Sequence, residues 1–319
     1  MKMKKTLYYV LVGFFALVFL FSSGYIVNYL INSRQQSNLN EDLASIVATG
    51  NFTRPTFIDQ VGTKPTTDST EATQPDSGTS TTAPETDATT PGIQATTPKP
   101  TSPRPNGGSS GSNNGGNTGT NNNGSVDIEK ILPQYLPIYQ RNNDTVGWIT
   151  IEGTNINYPV VQSPNRKDYY LNHSFEKKWS VWGAIYVREA CNVNTPSDNI
   201  TLYGHQMKDG SMFSRLHNYK YMENWQAHPY IYFDTLYEYH TYKIFAVFKT
   251  TVKAGGFPYH LFVNAVNEAE FNTFIQTAKD LSLYETGITP VYGDKIITLS
   301  TCDAPDDDAR FVVMAVRIS

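Results

Sequence analysis

Cysteine is scarce: among 319 residues only Cys191 and Cys302 occur. Two cysteines exclude a disulfide-dense scaffold, and no histidine stands near either at zinc-finger spacing, so neither a metal site nor another cofactor is expected. An excess of one charge is lacking too. Lys and Arg number 25 against 29 Asp and Glu, a formal net charge of −4, which argues neither for nucleic acid nor for an anionic surface as partner, and no nucleic acid is expected. Aromatic residues are absent between Phe57 and Tyr135. Such a stretch cannot bury enough apolar surface to offset the entropy of ordering it. There is no internal repeat. The acidic loop Asp303, Asp306, Asp307, Asp308 lacks the alternating oxygen ligands and closing Glu of a calcium loop and reads as a solvated turn.

What is present begins with a basic tip. Lys2, Lys4 and Lys5 precede an apolar run from Leu7 to Ile31. The run exceeds the ~20 residues that cross a bilayer core and the roughly 7–15 apolar residues of a cleaved signal peptide, the rival reading. Ser22-Ser23-Gly24 is a weak cleavage site. The run is therefore read as a single-pass anchor. Lysines before the span put the N-terminus in the cytoplasm and everything after Arg34 outside. Residues 1–34 are thus a cytoplasmic tip and transmembrane anchor, 35–125 a low-complexity linker, and 126–319 a folded domain. The linker is richest in Thr, Pro, Ser, Gly and Asn from Asn51 onward and is expected to be disordered. A coil of its length has an r.m.s. span of roughly 50 Å. It reads either as a tether lifting the domain off the membrane or as filler with no length requirement.

The folded part alternates short β-rich runs with turn clusters. Strands are predicted at 146–151, 155–161, 183–187, 199–203, 230–234, 239–249, 295–301 and 311–318. Eight short strands in fewer than 200 residues suggest a closed or nearly closed barrel, which leaves no exposed edge. The class is mainly β with added helices. Pro133 and Pro137 restrict 127–141 to one or two short helices. Met212, Leu216, Tyr219 and Met222 have helical spacing over 211–225. The clearest helix is 267–281, with Asn267 as cap, Glu270 at the capping-box position, and an apolar stripe of Phe271, Phe274, Ile275, Ala278 and Leu281. The stripe, like Trp148, Trp179, Trp182 and Trp225, reads as core or rim.

The chemistry gathers near the end of the chain. Ile296 to Cys302 and Phe311 to Val316 are apolar, β-branched runs around a short polar loop, so Cys302 is expected where one strand ends and Arg310 where the next begins. Thr201-Leu202-Tyr203-Gly204-His205 is another strand ending in a residue able to carry protons. A thiol attacks as thiolate, which a neighbouring imidazolium and guanidinium favour. Arg stays protonated and cannot act as a base, so Arg310 would act electrostatically on a developing oxyanion, and His205 would move protons. A Cys191–Cys302 disulfide is the competing use of the thiols in an oxidising compartment, although it would block the nucleophile. His173, His217, His228, His240 and His260 read as surface or packing residues.

Thr298 to Cys302, Arg310-Phe311-Val312-Val313 and Leu202-Tyr203-Gly204-His205 resemble the signature of sortases, the cell-surface cysteine transpeptidases of Gram-positive bacteria. Asn143 to Ile149, Ile156 to Val160, Tyr169-Tyr170-Leu171, Met207 to Phe213 and the 267–281 helix are similar to class B, over about 129–319. The resemblance implies an eight-stranded sortase-type β-barrel with Cys302 as nucleophile, His205 as acid and base, and Arg310 as oxyanion and substrate stabiliser. It implies that Leu171, Tyr203 and Ser300 line the substrate groove and that the backbone N–H of Asp303 helps bind the oxyanion. It also implies cleavage of a sorting signal after Thr and transfer to an amine of a lipid-linked peptidoglycan precursor, anchoring surface proteins to the wall. Pilin polymerisation and thiol hydrolysis by water are the alternatives. Gln206, where Asn or His often follows the histidine, Lys167, where Asn is frequent, and the long linker depart from the pattern.

Overall fold

The structure, a computed structural model, describes residues 2–49, 126–163 and 165–319. All eight predicted strands are there: β1 (Thr145–Thr150), β2 (Asn157–Val161), β3 (Ile185–Val187), β4 (Asn199–Tyr203), β5 (Tyr230–Thr235), β6 (Thr241–Thr251), β7 (Ile296–Asp303) and β8 (Asp306–Arg317). They close into a barrel in the order β1-β2-β3-β4-β7-β8-β6-β5. Pairing is antiparallel except at β2–β3 and β4–β7, which are parallel. Among the described residues four α-helices accompany them: α1 (Lys2–Ala48), α2 (Leu136–Arg141), α3 (Met222–Ala227) and α4 (Glu268–Asp280).

The continuous apolar run of β8 has a physical reason. Phe311, Val313 and Ala315 face the barrel interior, packing with Leu299, Ile244 and Val247. Val312, Met314 and Val316 face outward, where Phe271, Phe274, Ile275 and Ala278 of α4 cover them. Side chains alternate along a strand, so a strand buried on both faces must be apolar at every position. Asn267 caps α4 by accepting a bond from the Glu270 amide at 3.0 Å. The Glu270 carboxylate reaches back one residue beyond the expected partner, to the Val266 amide at 2.6 Å. Leu281 does not belong to the buried stripe: it follows the last turn and is exposed. The helical spacing over 211–225 resolves into a 3-10 segment, Ser214–Lys220, and the short α3, with Leu216 and Tyr219 buried and Met222 exposed.

A third cluster covers β1 and β2 from outside, and it corrects the expected start of the linker at residue 35. Residues 35–48 continue α1 without a break. Leu43 is fully buried among Ile131, Tyr135, Ile138 and Trp148, and Asp42 pairs with Arg141 at 2.5 Å. The segment is helical because its apolar positions, Leu39, Leu43, Ile46 and Val47, recur on one face at spacings of three and four. The stretch from 50 to 125, read as a disordered tether, lies outside the described residues. Its flanks, Ala44, Ile46 and Val47 on one side and Val126 on the other, all pack against this one cluster.

Replacing Phe271 by Ala should cost about 3–5 kcal/mol, the usual loss for a fully buried phenylalanine. Leu281→Ala, outside the stripe, should change stability by about 0.5 kcal/mol or less. Denaturant unfolding of the two variants checks the contrast.

Candidate active site

Two ladders bring distant parts of the chain to one end of the barrel. Across the parallel β4–β7 pair, Tyr203 stands opposite Ser300, and the Gly204 amide donates to the Ser300 carbonyl at 3.2 Å. His205 and Cys302 each follow two residues later, so His205, just past the end of β4, and Cys302, near the end of β7, stand at the same rim. Across the antiparallel β7–β8 pair, Cys302 stands directly opposite Arg310. Opposed residues of such a pair hold their Cβ atoms about 4.5–5.5 Å apart, on one face. Arg310 does not start its strand, as the sequence had suggested. β8 begins at Asp306, which pairs with Asp303 of β7, while β6 pairs with Ala309 and Arg310, and only Ala304-Pro305 forms the turn.

His205, Cys302 and Arg310 line a single cleft of about 290 Å³ together with Leu171, Tyr203 and Ser300. All three are partly exposed. His205 Nε2 lies 2.7 Å from the Leu171 carbonyl. A carbonyl only accepts, so this nitrogen carries a hydrogen, and Nδ1 is the ring nitrogen that this contact leaves open. Arg310 Nη1 donates to the carbonyls of Asp307 at 2.6 Å and Ala309 at 2.9 Å, which holds the guanidinium against its own hairpin. Both cysteines are free thiols. Cys191 is buried in the barrel core, where its Sγ–H meets the Asn199 carbonyl at 3.5 Å, and burial pushes its thiol pKa up.

The Asp303 side chain does not line the cleft. Its carboxylate turns away to His217 Nε2 at 3.2 Å and Lys249 Nζ at 2.8 Å, and the His217 ring stacks on Phe311. Gln206 accepts from the Ala304 amide at 3.0 Å, tying the chain after His205 to the turn after Cys302.

Several cleft residues carried no readable signal in the sequence. Tyr259 and His260, from the β6–β7 connection, form part of its wall. The Tyr259 hydroxyl meets Ser300 Oγ at 2.6 Å, and buried Asn199 holds the same connection through the Phe262 carbonyl at 3.0 Å. His260, expected at the surface or in packing, has its pKa lowered by burial, with Arg188, Lys167 and Arg310 adding to the effect. Only contacts far apart in sequence place these groups together.

A sortase-domain family model matches residues 149–318. The chain belongs to the sortase family. Sortase B of Staphylococcus aureus is 31% identical over 191 residues, covering 60% of this chain and 76% of that protein. Sortase B of Listeria monocytogenes is 36% identical over 167 residues, covering 52% and 65% respectively. A solved Staphylococcus aureus sortase B–substrate complex superposes with a TM-score of 0.55 at 32% identity, covering 60% of this chain and 87% of that one. Sortases are cysteine transpeptidases, and the eight-stranded mixed barrel of this sortase is the sortase B architecture.

Two measurements probe the cleft. A Cβ on Gly204 would lie 2.5 Å from Ile185 Cδ1 and 2.7 Å from Phe213 Cγ, so Gly204→Ala should cost about 1–3 kcal/mol by overpacking. It should also shift the neighbouring His205 ring resonances. For His260, a folded pKa below the ordinary ~6.5 means the unfolded chain binds the proton more readily. Its contribution to stability is complete above the unfolded value and lost as pH falls towards the folded one. Unfolding at a series of pH values should show that loss, and His260→Gln should remove it.

Proposed function

We propose that this sortase is a membrane-anchored transpeptidase in which Cys302 is the nucleophile, His205 the acid and base, and Arg310 the electrostatic stabiliser. The observation that supports it is the convergence of all three on one cleft through the β4–β7 and β7–β8 registers. The Cys302 thiol passes its proton to His205, which becomes the imidazolium, and the thiolate attacks the carbonyl carbon of a threonine in a sorting signal, giving a tetrahedral oxyanion. Arg310 uses Nη1 on its own hairpin, and its remaining N–H groups are the donors for that oxyanion or for the neighbouring substrate carbonyl. The Asp303 amide, next along the chain, is a second donor. As the C–N bond breaks, His205 protonates the leaving amine, which leaves a thioester on Cys302. An incoming amine loses a proton to His205, attacks the thioester, and expels the thiolate.

His205 enters this cycle by giving up its bond to the Leu171 carbonyl. Leu171, Tyr203 and the Ser300 region form walls for the peptide, with the Ser300 hydroxyl already engaged by Tyr259. The acceptor is an amine of a lipid-linked peptidoglycan precursor, and the product is a surface protein joined to the wall. The apolar N-terminal part of α1, a candidate membrane span by length and composition, holds the enzyme in the membrane with its N-terminus in the cytoplasm and the barrel outside. Residues 126–319 are the catalytic domain.

The full-length chain, incubated with sorting-signal peptides containing Thr-Gly or Thr-Asn, should accumulate a thioacyl adduct detectable by mass spectrometry. Cys302→Ala should abolish it. His205→Ala should slow its formation about 10²–10⁴-fold, the range for a lost acid–base group. Arg310→Ala should slow it about 10²–10³-fold, as for a lost oxyanion donor. Added triglycine should divert the adduct to a ligated product, whereas hydrolysis alone in its presence would replace the transpeptidase with a thiol hydrolase. An adduct in Cys302→Ala would falsify the mechanism.

A further inference from the structure

The loop 177–182 is unusual for a well-ordered surface. Its backbone is fixed: the Ser180 amide donates to the Asn172 carbonyl, the Ser174 amide to the Lys178 carbonyl, and His173 and Trp179 form a β-bridge. Yet Trp179 is 71% exposed and Val181 40% exposed. Trp179 and Val181, two residues apart on this fixed loop, form an exposed apolar pair, and its meaning comes from where the loop stands.

The position of the loop along α1 says what that is. Trp182, at its end, stacks on Tyr29 with ring centroids 5.4 Å apart, and Trp179, Val181 and Lys178 share a cavity with Asn32 and Gln35 of the helix. At about 1.5 Å per residue, Leu7 to Ile31 extends roughly 37 Å, against a hydrocarbon core of about 30 Å. The last turn of the apolar run, which contains Tyr29, therefore stands at the headgroup level once the run spans. The helix is unbroken from there into the segment docked on the barrel by Leu43 and by Asp42 with Arg141. No hinge separates the span from the domain.

We propose that the Trp179–Val181 loop sits in the outer headgroup region of the bilayer as a second membrane contact, holding the barrel down beside α1. Tryptophan is enriched at this depth, and Lys178 beside it suits anionic headgroups. The inference rests on α1 being a membrane span. Its consequence is that the cleft lies close to the lipid. Gly183 and Ala184 follow the loop directly, and Ala184 lines the cleft beside Leu171, whose carbonyl binds His205. Substrates that are themselves membrane-held, with a reacting amine or carbonyl near the headgroups, fit such a placement. The stretch from 50 to 125 does not set the height of the barrel, because the chain has docked before that stretch begins.

The test uses the full-length chain in phosphatidylcholine–phosphatidylglycerol vesicles whose acyl chains are brominated near the headgroup. Tryptophan fluorescence should be quenched, and Trp179→Phe should remove most of that quenching while the protein still resists alkaline carbonate extraction. Unchanged quenching in Trp179→Phe, or none in the wild type, with the chain still resistant to extraction, overturns the loop contact and leaves the anchor standing. Release of the wild-type chain by carbonate overturns the anchor, and this inference with it.

Discussion

Everything in the cleft depends on β7 being hydrogen-bonded on both sides by strands of opposite sense. The parallel pairing with β4 sets Tyr203 level with Ser300, and the antiparallel pairing with β8 sets Arg310 level with Cys302. A slip of one residue in either ladder would send the whole side-chain set to the other face. In β8 that slip would put Val312 and Met314 inside the barrel and Phe311 and Val313 against α4. The shapes of two cores would be wrong at once. The packing of a dozen apolar side chains thus fixes the placement of three polar ones, and the cleft needs little local stabilisation of its own.

That division of labour explains the polar network around the rim. Gln206 joins the residue after His205 to the turn after Cys302. Asp303 is held by Lys249 and His217, and His217 is itself stacked on Phe311. Asn199, buried in β4, fastens the β6–β7 connection that supplies Tyr259. None of these bonds creates the convergence; each restrains a chain segment that leaves the barrel near it. The proposed chemistry benefits because groups locked in place lose little entropy when substrate arrives.

The eight strands were legible because their runs are short, β-branched and bounded by turn residues, and α4 was legible from its cap and its period. Cys302, His205 and Arg310 could be singled out because each stands where a polar residue interrupts or ends an apolar run. Tyr259 and His260 could not, since a cleft wall drawn from a connection has no period and no neighbour in sequence to mark it. Arg310 was placed at a strand start because the acidic run before it looks like loop; pairing with both β6 and β7 carries β8 through it. The resemblance assigns Asp303 through its backbone N–H alone, while its carboxylate holds partners more than fifty residues away.

The segment 35–48 was missed for a different reason, and the miss changes the physical picture. Its composition is polar, with Gln, Ser, Asn, Glu and Asp between the apolar positions, so it blends into the low-complexity stretch that follows. Only one face is needed for docking, and Leu39, Leu43, Ile46 and Val47 supply it. Once that face is buried, the helix and the barrel belong to one compact unit, and the residues on either side of the 50–125 stretch pack on one apolar cluster. A spacer must separate two things. Here the domain and its proposed anchor meet at Leu43, before residue 50, so the proposed placement of the barrel rests on α1 and the surface beside it.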